Sequence, residues 1–128
     1  MTRPIPLLQI DQIEVAYHRV ITALQGVSVD VSTGSIVAIL GTNGAGKTTT
    51  LRAVSGFIGL DDARVTAGRI VFDGEPIENQ PPHRITARGI VLVPERDKVF
   101  PNLTVAENLE ATVSRPGSDR RALMDAAW

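Results

Sequence analysis

The stretch Gly41-Thr-Asn-Gly-Ala-Gly-Lys-Thr48 (GTNGAGKT) decides the fold. Before it stands IVAIL, residues 36 to 40, apolar throughout, which predicts a strand buried on both faces of a helix-covered sheet. After it, Leu51, Val54 and Ile58 recur at steps of three and four residues and predict a helix that begins near Lys47. Gly56 and Gly59 weaken and then end that helix. Gly41, Gly46, Lys47 and Thr48 satisfy G-x-x-x-x-G-K-[ST], the phosphate-loop pattern, in the strand–loop–helix setting the pattern requires. Glycines let the backbone curl until several N–H groups face one anion, and the helix adds the positive end of its dipole. Gly41, Asn43, Gly44, Ala45, Gly46, Lys47, Thr48 and Thr49 are therefore the candidate nucleotide-binding residues. Lys47 carries a full charge to the β- and γ-phosphates, Thr48 offers a hydroxyl to Mg²⁺, and Thr49 can donate to an inner phosphate.

Composition narrows the rest. With 43% hydrophobic and 21% charged residues over 128 positions, the chain has the profile of one modest globular domain. A formal net charge of −1 argues against bulk electrostatic binding to nucleic acid or anionic lipid. The chain has no cysteine, which excludes disulfides and thiolate chemistry and is compatible with a reducing cytosol. No stretch approaches the roughly 18 apolar residues of a membrane helix, so work at a membrane would require docking onto a protein that spans it.

Elsewhere, Ile13, Val15 and Tyr17 alternate with polar or small neighbours, as do Val27, Val29 and Val31, and both segments read as strands with one apolar face. Residues 68 to 77, GRIVFDGEPI, read as two short strands about an Asp73-Gly74 turn. GIVLV, residues 89 to 93, reads as a second fully apolar strand, stopped by Pro94. Thr104 and Glu107 form a capping box, with Val105, Leu109 and Val113 as the apolar stripe of the helix it opens. Residues 114 to 119 read as a loop, and 120 to 128 as the opening of another helix.

A phosphate loop does not choose a reaction; most enzymes that use one also need an acidic residue at a second strand end. FIGLDD, residues 57 to 62, ends in acid, but its place at the tail of the phosphate-loop helix predicts a loop. Asp73 follows a β-prone run and could serve a kinase or other phosphate-loop enzyme, although Asp-Gly there reads as a hairpin turn. His18 and Arg19 read as solvated.

Taken in order, YHRVITALQGVSVDVSTGSIVAILGTNGAGKTTTLRAVSG, AGRIVFDGEPI and PPHRITARGIVLVPERDKVFPNLTVAENL resemble the ATPase subunits of ABC transporters over nearly the whole chain. The last stretch is similar to those of branched-chain amino acid importers. The resemblance implies an α/β phosphate-loop NTPase fold of ABC type with an antiparallel β element, here incomplete. Residues 1 to 100 would form the nucleotide-binding core portion, and 101 to 128 the start of a helical subdomain. It implies ATP and Mg²⁺ as ligands, Tyr17 as the ring that stacks on adenine, and Glu95, where the family usually carries Gln, as a Mg²⁺ ligand beside Thr48. It also implies transmembrane permease subunits and a second ATPase subunit as partners, with no nucleic acid, at the inner face of the cell membrane.

The family's later parts are not found: no L-S-G-G-Q signature, no second aspartate strand with its catalytic glutamate, and no switch histidine, since His18 and His83 lie elsewhere. The expectation is therefore a C-terminally truncated ATPase that binds ATP and, alone, holds no complete set of catalytic residues. The alternatives are a nucleotide-binding remnant without turnover and a different phosphate-loop enzyme using Asp73.

Overall fold

A computed structural model describes residues 3–111 and 119–126. The chain divides into two compact units, 1–92 and 93–128.

The first unit is built on an antiparallel sheet. β1 (Leu8–Tyr17) and β2 (Ile21–Val31) are strands, as their alternation predicts, and they pair as a hairpin. β3 (Ala63–Phe72) pairs with the other edge of β1, and the two-residue β4 (Glu75–Pro76) closes the order β2-β1-β3-β4. The Asp73-Gly74 reversal is as expected: both residues have positive φ, 49° and 81°, the signature of the tight hairpin turn that suits the twist of its strands. The side chain of Asn79 imitates a strand partner for β3. Its Nδ2 donates to Val65 O and its Oδ1 accepts from Val65 N, both at 2.9 Å.

One face of this sheet carries the core. Ile10, Ile13, Val15, Leu24, Val65 and Ile70 are buried with Ala53 and Val54 of α1 (Lys47–Ser55), against which β2 and β3 lie. Gly59 was expected to end α1; Gly56 ends it instead, in a left-handed conformation at φ 81°. A Cβ there would come within 2.5 Å of Gln80 O, so both conformation and space call for glycine. Residues 57 to 61, expected as loop, form a 3₁₀ turn instead. The reason is local: Arg52 Nε donates to Asp61 Oδ2 at 2.5 Å and Arg52 Nη2 to Phe57 O at 3.3 Å, which tie the segment back onto α1. The short α2 (Pro82–Ala87) was not foreseen; it starts on a proline at its first turn and buries only Ile85.

The two apolar runs depart from expectation. Residues 36 to 40 and 89 to 93 form no strand. Ile36 is 98% and Leu40 88% exposed, and Val91 and Val93 are also exposed. An apolar run reports a preference for burial, whereas a strand needs a neighbour with which to share hydrogen bonds. Among the described residues no neighbouring strand pairs with either run.

In the second unit, α3 (Val105–Glu110) opens on the predicted capping box. Thr104 Oγ1 accepts from Glu107 N at 3.2 Å, and Glu107 Oε2 accepts from Thr104 N at 2.7 Å. Its stripe is not buried: Val105 is exposed, Leu109 half-buried, and Val113 lies outside the described residues. α4 (Arg120–Ala126) follows Asp119, whose carboxylate accepts from the N–H groups of Arg121 and Ala122. Most of the loop expected over 114 to 119 falls outside the described residues.

Candidate functional site

Gly41 to Gly46 form the loop that feeds α1. Ala45 N donates to Thr42 O at 3.1 Å, which folds the loop on itself. A Cβ on Gly41 would approach that of Ala45 to 2.9 Å, so the fold leaves no room for one. Gly46 is the N-cap at φ 94°, and a Cβ there would lie 2.3 Å from Leu24 Cδ2 of β2. The pattern's glycine is thus required twice, by backbone conformation and by the strand beneath it.

No side chain caps α1, so the first helical N–H groups have no side-chain acceptor. Thr50 N, one turn in, makes the first bond to Gly46 O at 2.9 Å, and Thr50 Oγ1 donates to the same oxygen at 2.8 Å. These contacts hold the N-cap from below and leave the end of the helix open to an anion. Lys47 Nζ arches over the loop and donates to Gly41 O and to Thr42 O. Thr48 is exposed and Thr49 half-buried in the first turn. Uncapped N–H groups, a helix N-terminus, an ammonium and the two threonine hydroxyls form a donor set for a polyphosphate chelated to Mg²⁺. Thr48 is the hydroxyl that would hold the metal. Asn43 and Gly44 lie exposed at the crest of the loop.

Tyr17 ends β1, half-buried and packed against the core cluster. Glu95 lies in the second unit, exposed, on a bend. Asp73 sits in its hairpin turn, where its N–H donates to Leu7 O at 2.8 Å. His83 is exposed on α2. The structure therefore brings residues 41 to 49 together as one site. Two residues escaped sequence reasoning: Leu24, the seat of Gly46, and Thr50, which anchors the N-cap carbonyl. Leu24 carried a signal, being apolar in a strand; Thr50 was one threonine in a row of three.

Comparison with known proteins bears on these parts. Residues 24–127 match the ABC transporter family. The chain is 43% identical over 106 residues to the Fe(3+) ions import ATP-binding protein FbpC of Mesorhizobium japonicum, covering 80% of this chain and 27% of that protein. It is 39% identical over 95 residues to the probable branched-chain amino acid transport ATP-binding protein LivF of Archaeoglobus fulgidus, covering 74% and 38%. Among solved structures it resembles a nucleotide-free ATP-binding cassette from an ABC transporter, at 31% identity and a TM-score of 0.71, over 95% of this chain and 46% of that one.

Proposed function

This chain belongs to the ABC transporter family, among its ATP-binding subunits, and from that premise we propose that it supplies the phosphate-holding half of an ATP site that powers solute import. The observation that carries the reading is the loop at residues 41 to 48, closed on the uncapped N-terminus of α1 with Lys47 above it. Lys47 and the backbone N–H groups of the loop would bind the phosphates, Thr48 would hold Mg²⁺, Glu95 is a further candidate oxygen ligand for it, and Tyr17 would stack on the base. Bound Mg²⁺ neutralises charge on the terminal phosphates. The side chains position and orient the nucleotide, while water activation falls to groups not found in these 128 residues.

The proposed partners are transmembrane permease subunits and a second ATPase subunit, which place the protein peripherally on the inner face of the cell membrane. Among the described residues no helix is long and apolar enough to cross one. The proposed solutes are branched-chain or related hydrophobic amino acids. Support comes from the segment PERDKVFPNLTVAENL and from the likeness to the Archaeoglobus protein. The likeness to the Fe(3+) importer subunit makes a metal ion the competing cargo.

Uptake of labelled leucine and of Fe³⁺ should be compared in cells carrying the native gene and in cells carrying the Lys47→Ala allele. Loss of leucine uptake alone supports the amino acid reading. Loss of iron uptake with leucine unaffected would replace it.

A further inference from the structure

The turn between β1 and β2 is strained and is held from outside. His18 and Arg19 both have positive φ, 50° and 61°, and Val20 N closes the turn on Tyr17 O at 3.0 Å. Left-handed backbone is costly for residues with a Cβ, although His, Asn and Asp tolerate it best. Asp62, which faces this turn, is left-handed as well, at φ 53°. The two residues are joined twice. His18 N donates to Asp62 O at 2.9 Å, and the Asp62 carboxylate accepts from His18 Nδ1 at 2.8 Å. Tyr17 itself is paired with Ala63, the residue after Asp62, in the β1–β3 ladder. The preceding residue, Asp61, is bonded to Arg52 of α1, whose guanidinium lies 5.9 Å from the ring centroid of Phe57. An unbroken chain of contacts thus runs from the phosphate-loop helix through Arg52, Asp61 and Asp62 to His18 and Tyr17.

We propose that His18 and Asp62 are positioning residues for the nucleotide base: they lock the strained turn so that Tyr17 is presented at a set place relative to α1. The proposal rests on the assignment of Tyr17 to base stacking. Both side chains are largely exposed, 65% and 80%, so the pair contributes the modest energy of a surface contact, and its effect is on geometry. Its signature is selective. A ligand with a base feels the lock, and a ligand made only of phosphates does not.

The test compares ATP with inorganic tripolyphosphate, each with Mg²⁺, by titration calorimetry on the whole chain and on three variants. His18→Gly keeps the backbone freedom of the turn and removes the side-chain bond. It should weaken ATP about two- to fivefold and leave tripolyphosphate unchanged. His18→Asn tolerates the same φ and places an amide N–H near the position of Nδ1, so it should restore ATP affinity. Tyr17→Ala should weaken ATP with tripolyphosphate unchanged, and adding His18→Gly to it should cost nothing more. If Tyr17→Ala weakens ATP while His18→Gly does not, the lock is refuted and the stacking role stands. If Tyr17→Ala leaves ATP unchanged, the stacking role fails and the lock with it. Equal weakening of both ligands by His18→Gly would show general loosening and would also overturn the proposal.

Discussion

Lys47 is placed to exchange partners, because its ammonium rests on the carbonyls of Gly41 and Thr42, where phosphate oxygens can take over as stronger acceptors. Lys47→Ala should therefore cost about 1.5–3 kcal/mol of ATP binding, roughly ten- to a hundredfold. Equal affinities in a calorimetric titration would remove Lys47 from the site. Gly46→Ala should act on the fold before it acts on the ligand. A methyl 2.3 Å from Leu24 Cδ2, at φ 94°, forces either strand or loop to move. The expected loss is about 1–3 kcal/mol, read as a lower urea midpoint with unchanged slope. Asp73 and Glu95 separate the competing readings of the acid. Asp73→Asn keeps a residue that tolerates φ 49° and should leave both stability and Mg·ATP binding unchanged. Glu95→Ala should weaken the Mg²⁺ dependence of ATP binding, because the proposed oxygen ligand is lost. The reverse pattern would move the proposed Mg²⁺ ligand from Glu95 to Asp73.

At the scale of elements, α3 depends on its caps more than on its burial. Its six residues include none that is buried. Thr104→Ala should cost about 1 kcal/mol of local stability. Asn108→Ala should loosen residues 100–104 further, since Asn108 Nδ2 donates to the carbonyls of Phe100, Leu103 and Thr104 and its Oδ1 accepts from Phe100 N. Faster amide exchange in 100–108 is the readout, and protection unchanged in both variants would count against it. The same scale shows what a sequence discloses. β1 and β2 were legible from alternation: Ile13 and Val15 are buried on either side of exposed Glu14, and Val27, Val29 and Val31 are half-buried, with exposed Ser28 and Asp30 between them. The start of α1 was legible from the phosphate-loop pattern, while its end falls at Gly56, one glycine earlier than expected. The runs at 36 to 40 and 89 to 93 were misread because apolarity is a property of the segment, while a strand is a property of a pair. α2 left no periodic trace, since one buried residue, Ile85, cannot make a stripe. His18–Asp62 was invisible for a related reason: 44 positions separate two residues that only the β1–β3 pairing brings together.

At the scale of the whole chain, these 128 residues contain the phosphate loop. No carboxylate is assigned to polarise water, and no signature loop is found in these 128 residues. Each missing group of this kind commonly costs 10² to 10⁴ in rate, so hydrolysis by this chain should stay at background and ignore Lys47→Ala. Robust turnover by the isolated 128 residues, abolished by that substitution, would show that they hold a complete hydrolytic site by themselves. The exposed apolar side chains at 36 to 40 and 89 to 93 should also bind a hydrophobic dye and promote concentration-dependent association in the ultracentrifuge. A monomer that binds no dye at high concentration would contradict this. The sheet order adds a temporal consequence. β1 is the one strand of this sheet with two long neighbours, and the phosphate loop lies in the excursion between them, after β2 and before β3. On a ribosome, the β1–β2 hairpin is complete while the loop is still emerging, but the excursion is closed only when β3 arrives and pairs across it. Closing so long a stretch is the slow, entropically opposed event. The nucleotide pocket should therefore be among the last parts of this unit to mature, and a pause in translation before residue 63 would leave it open to proteases.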